Sequence, residues 1–184
     1  MEIIIHRVNK VKDLIKIPKK YGVEVDLRDF NKDLIIQHDP FKNGDHFHKF
    51  LKQYEHGTLI INVKSEKIEN KIIEILKKNK IKNYFFLDSS YPMIIDMNNK
   101  NIKDIAIRIS DYESFDNIKK FNSRWVWLEI FNNLKISKKE IDYLKKKSIK
   151  ICLVSPELHN KPKDINKIKK FLKDKKINIS AVCT

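Results

Sequence analysis

Eight short apolar runs, spaced by longer segments of helical period, constrain this chain more than any other feature. The runs are Ile3–Ile5, Val23–Leu27, Thr58–Val63, Tyr84–Leu87, Ile105–Ile109, Trp125–Ile130, Ile149–Val154 and Ile177–Val182. Most are nearly continuous in aliphatic or aromatic residues, as expected of parallel strands covered on both faces. Between them, Val11–Tyr21, Asp45–Tyr54, Glu66–Asn79, Tyr112–Phe121, Ser137–Lys147 and Lys163–Lys175 carry apolar residues three and four apart, which predicts helices. Ser65 and Ser137 read as helix N-caps, and Ser137 with Glu140 reads as a capping box. Ser89–Asn101 reads as one short helix and a loop. Of Trp125 and Trp127, one is expected in the core and one against a helix. The alternation is βα throughout, with no linker or change of composition, so residues 1–184 read as one domain. A barrel and an open doubly wound sheet share this pattern, and periodicity does not choose between them.

Length and charge narrow the possibilities. A chain of 184 residues suits a single domain, but it is short for a complete eightfold barrel, which usually needs roughly 200 residues or more. The formal charge of +15 raises the prospect of an anionic partner. The excess is nearly all lysine, however, and it is scattered over helical stretches such as Ile75–Lys82 and Lys138–Lys150. Nucleic-acid binders more often show a focused arginine patch with interleaved aromatics, so solvated helix faces are expected and nucleic acid is not. Cys152 and Cys183 lack a CxxC partner and sit in apolar runs, which predicts buried thiols. Met1–Asn9 lacks the basic and long apolar regions of a signal peptide. No apolar run approaches the ~20 residues of a membrane span. A soluble, cytoplasmic protein is the expectation.

The chemistry-bearing residues gather at strand ends in the first third of the chain. His6 and Arg7 close the first run. Glu24, Asp26 and Arg28 close the second, and residues two apart on a strand share a face. Two carboxylates on one covered face are costly unless they meet a cation. A hard divalent ion such as Mg²⁺ or Ca²⁺ is one such partner; a side chain such as Arg28 or Lys64 is the other. After a polar turn, the alternating run Leu34–Gln37 reads as a hairpin excursion that returns His38 to the same strand mouth. Two histidines at one mouth suit a general acid and a general base. His46, His48, His56 and His159 lack such company and read as surface or structural residues. Asp88, Arg108 and Glu157 also stand at or near strand ends and are weaker site candidates.

His6-Arg7, then Gly22-Val23-Glu24-Val25-Asp26-Leu27, then Leu34-Ile35-Ile36-Gln37-His38-Asp39 together resemble the signature of the glycerophosphodiester phosphodiesterases, relatives of the phosphatidylinositol-type phospholipases C. The motif covers roughly the first third of the chain. The resemblance implies a compact (β/α)8 TIM-like barrel, here lacking the last helix because the final run ends almost at the C-terminus. It implies hydrolysis of a small phosphodiester, with His6 and His38 as the acid–base pair and Arg7 on the phosphate. Glu24 and Asp26 would ligate a divalent metal, Mg²⁺ or Ca²⁺. A further family strand reading N-I-E-I-K corresponds to Ile60-Ile61-Asn62-Val63-Lys64. Lys64 is retained for the phosphate, with Arg28 as a further cation, but Asn62 stands where the family has a metal-binding Glu. Glu129 could supply a replacement carboxylate, as could Glu157; alternatively the site works without a tightly held metal, with Arg7, Arg28 and Lys64 neutralising the phosphate. Val8-Asn9 also departs from the family, which has Gly and a later E-N-T there. The alternative is a catalytically weak or inactive barrel that binds a phosphorylated ligand or a partner protein.

Overall fold

The computed structural model describes residues 1–134 and 136–184. Among these, the strands are β1 (Glu2–Ile5), β2 (Gly22–Phe30), β3 (Asp33–Ile36), β4 (Asp45–His46), β5 (Leu59–Val63), β6 (Tyr84–Leu87), β7 (Ala106–Ile109), β8 (Trp125–Leu128), β9 (Lys150–Val154) and β10 (Ala181–Cys183). The helices are α1 (Val11–Leu14), α2 (Phe47–Leu51), α3 (Glu69–Lys78), α4 (Tyr91–Asn99), α5 (Asp116–Lys120), α6 (Lys138–Lys146) and α7 (Ile165–Asp174). Two 3₁₀ turns, Pro156–His159 and Pro162–Asp164, lie between β9 and α7.

Eight strands run parallel in one curled sheet, in the order β6-β5-β2-β1-β10-β9-β8-β7. The hairpin β3–β4 adds antiparallel to the far end of β2. The outermost strands β6 and β7 approach each other at one parallel bridge, Phe86 with Ile105, where the Phe86 amide donates to the Asp104 carbonyl at 2.9 Å. The result is a mixed α/β fold on a curled, TIM-barrel-like sheet.

Strand alternation splits the core in two. Val23, Val25, Leu27, Ile61, Val126, Leu128, Ile151 and Leu153 pack in the larger cluster with the helices. Ile4, Ile60, Phe85, Leu87, Trp125, Trp127, Cys152, Ala181 and Cys183 form a second cluster, in the hollow of the curl. Both tryptophans belong to it, which corrects the expectation that one of them faces a helix: they are two residues apart, so they share a face. Phe85 and Trp125 stack with ring centroids 4.6 Å apart. Cys152 and Cys183 are buried and free, and burial pushes both thiols up.

The predicted runs recur with shifted ends. The first helix stops after one turn, because Pro18 cannot supply the amide that a longer helix needs. The segment from Asp45 begins as a strand paired with β3 before turning into α2. The helix expected over Tyr112–Phe121 shrinks to α5. Ser65 is not a cap; α3 starts at Glu69, and the Ser65 hydroxyl accepts from the Asp29 amide at 3.3 Å. The last strand begins at Ala181 rather than Ile177, whose amide instead closes the end of α7 on the Leu172 carbonyl. The Ser137–Glu140 capping box is present on α6. None of the described helices is long and apolar enough to cross a membrane.

Trp125→Ala empties the centre of the inner cluster, so it is expected to cost about 3–5 kcal/mol of stability. Ser137→Ala removes only a cap, worth about 1 kcal/mol. Urea unfolding of the two variants beside wild type measures both.

Candidate active site

The carboxyl ends of β1, β2 and β5 bring the sequence-predicted groups to one rim. Glu24 and Asp26 project from β2 and are each only 1% exposed. The chain leaving β1 wraps over them. Arg7 adopts a left-handed backbone conformation (φ 57°), uncommon for a residue with a side chain. Its amide donates to Glu24 Oε2 at 2.7 Å, and the next amide, of Val8, donates to the Glu24 carbonyl at 2.8 Å. Asn9 then grips Asp26 twice: its Nδ2 donates to Asp26 Oδ2 at 2.7 Å, and its Oδ1 accepts from the Asp26 amide at 2.9 Å.

Two cations meet the Asp26 carboxylate. Arg7 Nε lies 3.5 Å from Oδ2 and Lys64 Nζ lies 3.5 Å from Oδ1. The parallel register of β2 with β5 aligns Asp26 with Asn62 and so sets Lys64 at the rim. His6 Nε2 stands 4.0 Å from Glu24 Oε2. The hairpin returns as expected: the Gln37 amide donates to the Asp26 carbonyl at 2.9 Å, so His38 follows directly beside β2. Asp39 Oδ1 lies 2.9 Å from His38 Nδ1.

Arg28 stands outside this group. Its NH2 donates to the Lys64 carbonyl at 3.0 Å, tying β2 to the end of β5 rather than touching the carboxylates. Glu129 belongs to a second cluster on the other half of the sheet. It is 6% exposed and contacts Arg108, with His159 Nε2 3.0 Å from its Oε1. Arg108 also reaches Asp88 and lies 3.7 Å from Glu113. Asp88 links the two clusters, with Lys64 Nζ 4.0 Å from its Oδ2.

Burial dominates the electrostatics. It pushes the Glu24 carboxyl up to about 7, helped by the charge of Asp26 and opposed by the Arg7 amide. It holds the His6 imidazole below its usual range, with the positive charge of Arg7 adding to the effect. His6 is therefore neutral at pH 7.

Glu24 Oε1 and Asn62 Oδ1 are buried without a hydrogen-bond partner among the described residues. Buried oxygens in that state are costly, and with Asp26 they make an all-oxygen donor set of the kind hard divalent cations take. Glu24, Asp26 and Asn62 thus fit such an ion, with Asn62 contributing a neutral donor.

Sequence reasoning missed three features. Asn9 stands out in the sequence only as part of a departure from the family pattern, not as a partner of Asp26. His159 meets Glu129 only through the turn that follows β9. Asp33, His46 and His48 form a candidate metal-binding group on the hairpin and the start of α2, with donor atoms all within 4.8 Å of one another.

Neither a protein-family model nor a curated protein matches the sequence. Solved structures do match in fold. A glycerophosphodiester phosphodiesterase from Agrobacterium tumefaciens strain C58 aligns with a TM-score of 0.67 at 10% identity, over 100% of this chain and 95% of that one. A second structure from the same strain, assigned as a glycerophosphoryl diester phosphodiesterase, gives 0.68 at 9%, over 100% and 93%. The chain thus resembles glycerophosphodiester phosphodiesterases in fold over its whole length. Phosphoribosyl anthranilate isomerase from Thermus thermophilus gives 0.53 at 6%, over 100% and 86%.

The raised Glu24 carboxyl has a sign that urea unfolding can read. Between its ordinary 4.5 and about 7, the folded state holds a proton that the unfolded chain has released. Stability conferred by that proton is lost as pH rises through this window. In metal-free buffer, wild type is expected to lose on the order of 2 kcal/mol more than Glu24→Gln between pH 5 and pH 8.

Proposed function

We propose that this protein is a metal-assisted phosphodiesterase acting on a small, glycerophosphodiester-like substrate, on a (β/α)8-type barrel closed at the β6–β7 seam. The observation that carries the reading is the convergence on one rim of two histidines, two cations and a buried carboxylate pair with an unpartnered oxygen. The sequence motif and the shared fold point the same way.

The phosphodiester is a monoanion whose oxygens gain negative charge as the new bond forms. Arg7 and Lys64 would bind those oxygens and offset that charge, and Arg28 would hold the end of β5 so that Lys64 is aimed inward. A divalent ion held by Glu24, Asp26 and Asn62 would add further charge neutralisation. His6, neutral at pH 7, would take a proton from the attacking hydroxyl, either of the substrate itself or of water. The oxygen attacks phosphorus, the bond to the leaving alcohol breaks, and His38 would give that alkoxide its proton. Asp39 Oδ1 lies beside His38 Nδ1, which would leave the other ring nitrogen of His38 for the leaving group. Among the described residues no Ser or Cys hydrogen-bonds to either histidine side chain, so attack by a neighbouring hydroxyl of the substrate, giving a cyclic phosphate, is the preferred first step. Glu129 would orient Arg108 rather than ligate metal, since its contacts are with Arg108 and His159.

One observation favours the second reading, a barrel that binds a phosphorylated ligand without turning it over. Asn62 lowers the charge of the cage, and Asp26 is already neutralised by Arg7 and Lys64.

Turnover of a glycerophosphodiester, which carries the neighbouring hydroxyl the first step needs, with Mg²⁺, Mn²⁺ or Ca²⁺ added in turn, separates the two. The proposal predicts metal-dependent turnover that falls about 10²–10⁴-fold in His6→Ala and His38→Ala, with unchanged circular dichroism. No turnover from folded wild type favours the second reading, and turnover that survives both substitutions contradicts the roles given to His6 and His38.

A further inference from the structure

We infer that Asp33, His46 and His48 form a second metal site, for a zinc-class divalent transition ion, that clamps the hairpin carrying His38. The site is separate from the oxygen-lined rim. Asp33 pairs with Phe30, four residues beyond Asp26 along β2, so it lies roughly 13 Å further out at the usual rise per residue.

The donors differ in kind from those of the rim. Two imidazoles and one carboxylate make a set that suits borderline transition ions, whereas carboxylate and amide oxygens suit Mg²⁺ and Ca²⁺. Catalytic and open zinc sites commonly use three such protein ligands and leave further positions to water. The geometry is close to what is needed. His46 Nδ1 lies 2.6 Å from Asp33 Oδ2, and the His46 and His48 ring centroids are 5.3 Å apart. Ligand atoms about 2.1 Å from a shared ion stand at most about 4.2 Å from one another. The three donors already lie within 4.8 Å, and His48 is an exposed side chain with room to turn. The backbone under them is fixed. Asp33 Oδ1 accepts from the Leu34 amide at 2.8 Å, which leaves Oδ2 for the ion. His46 is paired in register with buried Ile35, and Phe47, between the two histidines, is fully buried.

The placement gives the ion a task. Asp33 opens β3, His46 ends β4 and His48 lies in the first turn of α2, while the loop between β3 and β4 carries His38. An ion on these three residues ties the two ends of that excursion together.

The test uses the full chain without a histidine tag, with Zn²⁺ alone as probe in isothermal titration. The expected result is one equivalent bound by wild type and by Glu24→Gln, with at least tenfold weaker binding in His46→Ala and in His48→Ala. The melting temperature of wild type should rise by about 5 °C at a hundredfold excess of Zn²⁺ over Kd, and that rise should vanish in His48→Ala, whose exposed side chain is not needed for folding. X-ray absorption on the zinc complex should read two imidazoles. Zn²⁺ binding that is absent, that is unchanged in His48→Ala, or that is lost in Glu24→Gln overturns the assignment.

Discussion

Everything at the rim depends on two carboxylates buried on one strand. Glu24 and Asp26 lie in a setting that disfavours charge, and the surrounding chain is arranged to offset that cost. For Asp26 the offset is electrostatic and nearly complete, from Arg7, Lys64 and both ends of the Asn9 amide. For Glu24 it is partial: one oxygen takes the Arg7 amide and the other has no partner. The left-handed turn at Arg7 belongs to the same arrangement, because it aims a backbone amide at Glu24 while its guanidinium reaches Asp26. The asymmetry between the two acids is what leaves room for a cation or a proton at Glu24.

The curled parallel sheet explains why these groups can meet. Every parallel strand delivers its carboxyl end to the same rim, so side chains far apart in sequence gather without long loops. The first half of the rim comes from β1, β2 and β5 and contains the cations and histidines of the proposed chemistry. In the second half, Asp88, Arg108 and Glu129 are linked by ion pairs with His159 beside Glu129, and Lys64 joins this group to the first half through Asp88. In the proposed reaction, the first half handles the phosphate, and the second keeps its arginine committed to acids.

Much of this was legible in the sequence, for definite reasons. Strands covered on both faces write themselves as continuous apolar runs, so β2, β5, β6 and β9 were found to within a few residues. The first half of the rim was legible because its residues crowd into four short segments ending at Lys64. Helix lengths were less legible: the apolar period continues through Pro18 and through the Tyr112 region, where the backbone does not stay helical. The pairing of Glu129 with Arg108 and His159 joins the ends of β7 and β8 to the turn after β9, which lie far apart in sequence, so no local pattern announces it. Glu129 therefore looked free to replace the acid missing at Asn62. The Asp33–His46–His48 group escaped for the same reason, since only the antiparallel pairing of β3 with β4 brings its members together.

The central claim, that the Glu24–Asp26 rim cleaves a phosphodiester, is tested most directly by phosphorus NMR on a glycerophosphodiester incubated with the full chain and Mg²⁺ or Ca²⁺. The proposed chemistry predicts loss of the diester signal, with a cyclic phosphate or a monoester in its place, and no change when His38→Ala replaces wild type. A diester signal that stays constant with folded wild-type protein in either metal, or that decays equally with His38→Ala, would contradict it.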